Sequence, residues 1–220
     1  GMAPALEAEL AIGMATVEAL LHSHIQGKYP LVEETSRHLV AAGGKRLRPL
    51  LTLLAAQYGD KNRKGIIESA AVCELTHVAT LYHDDVMDES LTRRGVDTVN
   101  ARWGNLQAIL AGDFMLAKAS EVSAALGTEV VTLLAQTIGR LCEGQIEELR
   151  HTYDVSRSIP SYLVSIEGKT ASLFATSARI GAIVAGHDQK IVEALTIYGT
   201  AIGMVFQIVD DILDVIATDD

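Results

Sequence analysis

Two short acidic runs are the part of this sequence most able to do chemistry. His83-Asp84-Asp85-Val86-Met87-Asp88 and Gln207-Ile208-Val209-Asp210-Asp211-Ile212-Leu213-Asp214 each place carboxylates at i, i+1 and i+4 inside an otherwise apolar segment. At 3.6 residues per turn, three such groups share an arc of about 100° on one helical face. Crowded carboxylates repel one another and lose hydration when buried, so something positive has to sit beside them. One such run alone is as readily a solvated helix end as a site. Two with the same spacing, both embedded in apolar helices, favour a function. Oxygen-only ligands select a hard cation, and Mg²⁺ usually takes only one or two carboxylates and shares its other positions with water and phosphate oxygens. The expectation is two facing carboxylate sets holding Mg²⁺ ions that bridge to a phosphorylated substrate.

The basic residues fit that expectation. Gly43-Gly44-Lys45-Arg46-Leu47-Arg48-Pro49 puts three cations at a glycine-loosened helix start, where backbone N–H groups and the helix dipole already favour an anion. Arg93-Arg94-Gly95 lies five residues beyond Asp88, and Lys169-Thr170 follows Gly168 inside an apolar stretch. Gln207 lies one turn before Asp210. Taken singly, each cation reads as a solvated or ion-paired side chain and Gln207 as a core amide. Together they are what a site for two diphosphates needs, with metal on one side and guanidinium forks and point charges on the other. His77, two helical turns before Asp84, either shares the mouth of that site or is a lone core histidine.

Helices must position these groups. The apolar residues Leu6, Leu10, Met14, Val17 and Leu21 recur in steps of three and four, and the same periodicity continues almost throughout. It predicts helices from Pro4 to about Gln26, Leu31 to Ala42, Arg48 to Tyr58, Gly65 to Asp88, Asp97 or Asn100 to Leu126, Glu129 to Arg150, Pro160 to about Ala185, and Asp188 to about Ala217. Glu89 to Gly95 reads as a basic loop and Gly43-Gly44 as a stop signal. There is no repeat and no linker. The expected fold is all-α, a single domain over residues 1–220 built as one large helical bundle around a central cavity.

Composition narrows the function classes. Of 220 residues, 49% are hydrophobic and 21% charged, which excludes disorder, while only 5% are aromatic. The net charge of −10 argues against nucleic acid as a partner, because phosphate neutralisation needs a basic face. No run of 18 uncharged apolar residues exists, so no membrane-spanning helix is expected. The N-terminus lacks the basic and hydrophobic regions of a signal peptide. Cys73 and Cys142 read as core residues in a reducing compartment, and a cytoplasmic location is expected.

The segments Gly43–Pro49, Leu81–Gly95, Gly168–Phe174 and Phe206–Asp214, in this order and spacing, resemble the trans-isoprenyl diphosphate synthase (polyprenyl synthetase) family over nearly the whole chain. The resemblance implies an isoprenoid synthase-like bundle that condenses isopentenyl diphosphate with an allylic diphosphate, with about two to three Mg²⁺ ions bridging to the substrate. It makes Asp84, Asp88 and Asp210 direct metal ligands. Asp85, Asp211 and Asp214 would act through water or from behind them. It assigns Arg93, Lys169, Thr170 and Gln207 to the allylic diphosphate, and Lys45, Arg48, His77 and Arg94 to isopentenyl diphosphate. Prenyl diphosphates are the implied small-molecule partners, a homodimer through the helices of about residues 100–150 is implied, and a hydrophobic product suggests peripheral membrane contact. Family members continue well past the second aspartate helix, so the resemblance also implies a chain that is C-terminally incomplete.

Product length follows from what lies beneath the first aspartates. Ala79, Thr76 and Cys73 fall on roughly one helical face below Asp84, and all are small. In this family a bulky aromatic near the first of these positions stops elongation. Its absence predicts a product longer than C20, with a farnesyl or geranylgeranyl length as the alternative. Other classes compete. Glu74-x-x-His77 and Glu148-x-x-His151 have the spacing of di-iron carboxylate bundles, but that reading leaves both aspartate runs without a role. A terpene cyclase would need aromatic walls that this composition scarcely supplies. A non-catalytic helical subunit would have no use for both metal clusters and both cation sets.

Overall fold

The computed structural model describes residues 3–216, and their order is almost wholly helical. Helices α1 (Pro4–His24) and α2 (Pro30–Ala41) each open on a proline, whose missing N–H has no partner to lose in a first turn. Gly43 and Gly44, at φ +86° and +149°, then swing the chain into α3 (Leu47–Ala56). Helix α4 (Ile66–Met87) is the central element and packs against α1, α3 and two later helices, α6 (Asn105–Ala125) and α9 (Ser172–Val184). It is buried on most sides, as its nearly continuous apolar run predicts.

Three expectations need correction. The Glu89–Gly95 loop is instead part of a minimal ribbon, with β1 (Thr92–Arg93) antiparallel to β2 (Val96–Asp97). Its turn residues Arg94 and Gly95 lie at φ +54° and +75°, the pair of left-handed conformations that a two-residue type I′ hairpin turn requires. The long helix expected up to Leu126 is broken at Gly104, whose φ of +90° and ψ of +162° are open only to glycine. The break separates α5 (Val99–Trp103), capped by the Thr98 hydroxyl accepting from the Ala101 N–H, from α6. The helix expected from Pro160 to Ala185 is likewise subdivided. A π-helical turn (Glu167–Ala171) joins α8 (Ile159–Ile166) to α9.

Helix α7 (Thr128–Arg150) runs beside that π turn, and α10 (Gln189–Ile216) packs along α9. The expected end of the last helix near Ala217 lies outside the described residues. Contrary to the sequence expectation, α10 is long and apolar enough to cross a membrane by length and composition, because its charges gather at its two ends. A core helix passes the same test. Val192, Gly199 and Gly203 bury one face of α10 against α9 and the π turn, while Ile197, Val205, Ile212 and Leu213 are exposed. The main core gathers residues of α1, α2, α3, α4 and α6. A second cluster, Val72, Cys73, Val130, Leu134, Leu173 and Ile180, joins α4 to α7 and α9.

Candidate active site

One cavity of about 570 Å³ opens where the C-terminal end of α4, the Gly43–Arg48 turn, the ribbon, the π turn and α10 meet. It brings together Asp84, Asp88 and Asp210 with Lys45, Arg48, Arg93, Arg94 and Lys169, and with His77, Thr170 and Gln207. Along α4 the lining residues Glu74, His77, Leu81, Asp84 and Asp88 follow steps of three and four, so one stripe of a buried helix forms a wall of the site. Asp85, Asp211 and Asp214 do not line the cavity.

Each displaced aspartate has a physical reason for its place. One position around the helix from Asp84, Asp85 turns inward, is 1% exposed and accepts a hydrogen bond from Arg93 Nε at 2.7 Å. It fixes the arginine of the ribbon from behind, while its Oδ2 has no partner. Asp211 accepts from the Tyr162 hydroxyl and from Gln207 Nε2 at 2.8 Å. Gln207 Oε1 in turn accepts from Thr170 Oγ1 at 2.7 Å. This relay ties α8, the π turn and α10 together behind Asp210, so Thr170 and Gln207 engage each other as they line the cavity. Asp214 is exposed, one turn farther along. The sequence reading missed Tyr162. No periodicity marks it, and only an aromatic hydroxyl in the first turn of α8 could have flagged it.

The electrostatics of the two walls differ in sign. Burial pushes the Asp84 carboxyl above the usual carboxylate range, opposed by Lys169 and Arg93 and reinforced by Asp88 and Asp85. On the opposite wall Arg48 is half-buried, its Nε is shielded from solvent without a hydrogen-bond partner, and its guanidinium lies 4.4 Å from the centre of the Phe174 ring. Burial pulls its pKa down to about 10, which leaves it cationic at neutral pH. Arg94 Nη1 donates to the Leu39 carbonyl at 2.9 Å, and its guanidinium covers Gly44, where a Cβ would lie 2.9 Å from Cζ. Burial, with four arginines nearby, holds His77 well below the usual imidazole range and therefore neutral. A guanidinium N–H shielded from water without a partner is costly unless an anion completes it.

Cys73, Thr76 and Ala79 are fully buried and line no part of this cavity. The Ala79 carbonyl meets α6 at Gly112, where a Cβ would lie 3.1 Å away. Cys73 belongs to the cluster that contains Leu173, a lining residue of the cavity, and Val130. Val130 also lines a second cavity of about 880 Å³ at the far end of α4, beside Val122, Leu126 and Val184. Tyr82 points away, its hydroxyl 2.6 and 2.8 Å from the carbonyls of Thr35 and Ser36.

The di-iron spacing does not form a site. Glu148 accepts from Arg157 Nη1 at 3.0 Å and from Ser165 Oγ at 2.8 Å, and His151 Nδ1 lies 3.0 Å from its own helix's Glu147 carbonyl. Among the described residues no three acidic, histidine or cysteine side chains close a cage around a cation by themselves. Asp84, Asp88 and Asp210 instead rim a shared space with oxygen donors alone. Such a set fits a hard cation that completes its sphere with ligand phosphate oxygens.

Comparison with known proteins agrees with this arrangement. The sequence pattern described as polyprenyl synthetase matches residues 29–220. The nonaprenyl diphosphate synthase of Mycobacterium tuberculosis is 43% identical over 94% of this chain and 62% of that protein. The heptaprenyl diphosphate synthase component 2 of Bacillus subtilis is 40% identical over 93% of this chain and 59% of its own. The chain thus spans about three fifths of the length of these curated relatives. The crystal structure of a polyprenyl synthase from Caulobacter crescentus, complexed with calcium and isoprenyl diphosphate, superposes with a TM-score of 0.90 at 38% identity, covering 93% of this chain and 62% of that one. With four motif segments, the all-α bundle and the aspartate-rimmed cavity in agreement, the chain belongs to the polyprenyl synthetase family.

Proposed function

We propose that this protein is a Mg²⁺-dependent prenyltransferase that condenses isopentenyl diphosphate with an allylic diphosphate. One observation carries the reading: a single cavity holds oxygen-donor carboxylates on one wall and, on the other, a half-buried arginine whose shielded Nε has no hydrogen-bond partner. Asp84, Asp88 and Asp210 would hold the metal, with roughly two to three ions in play, and the bound cations supply Lewis-acid stabilisation of a departing diphosphate. Lys169 and Arg93 face the same side and add fixed positive charge where the leaving group becomes more negative. Arg48, Lys45 and Arg94 bind the diphosphate of isopentenyl diphosphate. Neutral His77 offers it a hydrogen bond without adding charge. The allylic C–O bond breaks, the isopentenyl double bond attacks the cation, and the departing diphosphate takes the proton, so no side-chain base is required.

A product longer than C20 is part of the proposal. The small residues Ala79, Thr76 and Cys73 lie between the cavity and the far end of α4, where the second cavity is lined by apolar Val122, Leu126, Val130 and Val184 together with charged Arg63, Lys64, Glu68 and Glu129. The related nonaprenyl synthase favours the same length. Ala79→Phe is expected to shift products towards shorter chains, measured by chain-length analysis after incubation with isopentenyl diphosphate, and an unchanged distribution would refute a role for Ala79 in setting product length. We further propose a cytoplasmic homodimer, supported by two free cysteines, of which Cys73 is in the core but Cys142, against expectation, is exposed, and by apolar Leu106, Ile109 and Leu110 on the outer face of α6. A relative named as a component of a synthase makes a second, different subunit the other partner to test by size-exclusion chromatography.

The deciding experiment incubates the protein with isopentenyl diphosphate, Mg²⁺ and a C10, C15 or C20 allylic primer, with and without EDTA. EDTA-sensitive release of diphosphate with a lengthened linear product supports the reading. Absence of turnover together with absence of Mg²⁺-dependent diphosphate binding rejects it.

A further inference from the structure

The three cations of the Gly43–Pro49 segment are not equivalent. The Arg46 side chain is 7% exposed, and each of its five N–H donors is taken. Nε and Nη2 form a fork on the two oxygens of Glu18 at 2.8 and 2.9 Å. Nη2 also reaches the Val40 carbonyl at 2.9 Å, and Nη1 reaches Glu74 Oε1 at 3.0 Å and the Gly43 carbonyl at 3.3 Å. With five donors in all, this guanidinium has none left for a ligand. Its backbone sits at φ +49°, ψ +37°, a left-handed conformation that a non-glycine residue keeps only where its surroundings enforce it. The flanking Lys45 and Arg48 are thereby presented at the cavity.

Glu74 explains why such a lock is needed. It is 2% exposed on the cavity stripe of α4, one turn before His77, and its charge acts on both Arg48 and Arg94. A free carboxylate there would compete with a diphosphate for the unpartnered Arg48. We propose that Arg46 is a positioning residue that neutralises Glu74 and shapes the Gly43–Arg48 turn, so that Arg48 stays available to the diphosphate of isopentenyl diphosphate. This rests on the prenyltransferase reading. It differs from a merely structural role because it assigns the damage of losing Arg46 to one identified competitor.

The test measures isopentenyl diphosphate binding by calorimetry in the wild type, Arg46→Met, Glu74→Gln and the double variant Arg46→Met/Glu74→Gln, with thermal unfolding of each. Arg46→Met is expected to weaken binding by roughly tenfold or more, the scale of one charged hydrogen bond diverted. The double variant is expected to recover most of that loss, and Glu74→Gln alone to bind at least as tightly as the wild type. Glu74→Gln keeps the Glu18 fork, so it reports even where Arg46→Met fails to fold. A double variant as weak as Arg46→Met, or a tenfold loss in Glu74→Gln, overturns the assignment. Wild-type binding with Arg46→Met unchanged overturns it as well and leaves the prenyltransferase reading intact. A wild type that binds neither isopentenyl diphosphate nor, with Mg²⁺, an allylic diphosphate overturns both.

Discussion

Asp84→Asn is expected to lower turnover by roughly three orders of magnitude while raising the melting temperature of the ligand-free protein. The activity loss follows from weakening a Lewis-acid contribution of several kcal/mol to the transition state, where about 4 kcal/mol corresponds to 10³ in rate. The stability gain follows from the raised pKa. Burial disfavours the ionised form of Asp84, so the folded state loses stability as pH rises from the ordinary aspartate range through the elevated value, and above it the penalty is complete. A neutral amide removes that penalty at pH 7. Thermal unfolding with and without Mg²⁺ and diphosphate checks both halves. The wild type should be stabilised by the pair of ligands and the variant much less. Burial raises the neighbouring Asp85 carboxyl as well, against its ion pair with Arg93, so Asp85→Asn should shift the ligand-free melting temperature in the same direction while giving up that pair. Equal melting temperatures and equal rates for Asp84→Asn and the wild type would contradict the placement of Asp84.

Gly144→Ala is the second large effect. Gly144 on α7 faces the π turn so closely that a Cβ would strike the Lys169 backbone nitrogen and come within 2.8 Å of the Gly168 carbonyl carbon and 2.9 Å of the Ser165 oxygen. Backbone cannot swing aside as a side-chain tip can, so the π turn must move away. Overpacking of this kind costs about 1–3 kcal/mol, and a displacement of about 1 Å at Lys169 lowers turnover on the order of 10²-fold. Gly139, on an exposed position of the same helix with nothing within 4 Å, supplies the control. Gly139→Ala should stabilise by about 0.5–1 kcal/mol through helix propensity alone and leave turnover unchanged. Urea denaturation and steady-state assays of the two variants separate the predictions.

Local features of this fold were readable from the chain because local forces set them. The spacing of Asp84 and Asp88, the glycine stop at 43–44 and the apolar steps of α1 and α4 depend on neighbours within a turn or two. Which member of an aspartate pair faces the cavity does not. Asp84 and Asp85 differ by one position around the helix, and only the inward packing of Asp85 towards Arg93 decides between them. Partner choice is invisible for the same reason. Arg46 reads only as one more cation of the Gly43–Pro49 segment until Glu18 and Glu74, 28 residues away on either side, are brought to it. Tyr162 likewise acquires its role from Asp211 on another helix. The π turn and the break at Gly104 escape a periodicity that assumes 3.6 residues per turn without interruption. In the first, the close Gly144–Gly168 crossing sets the geometry; in the second, a single glycine conformation does.

The tip of the ribbon shows where foldability and recruitment of ligand conflict. Arg94 occupies the first central position of a turn in which asparagine or glycine would sit relaxed. A chain drifting under pressure for thermal resilience alone would settle on Asn-Gly there, gain an easier hairpin and lose the guanidinium. An arginine at so unfavourable a backbone angle is a standing strain on the apoprotein, and it places the origin of this loop's shape in what it must hold rather than in how it folds.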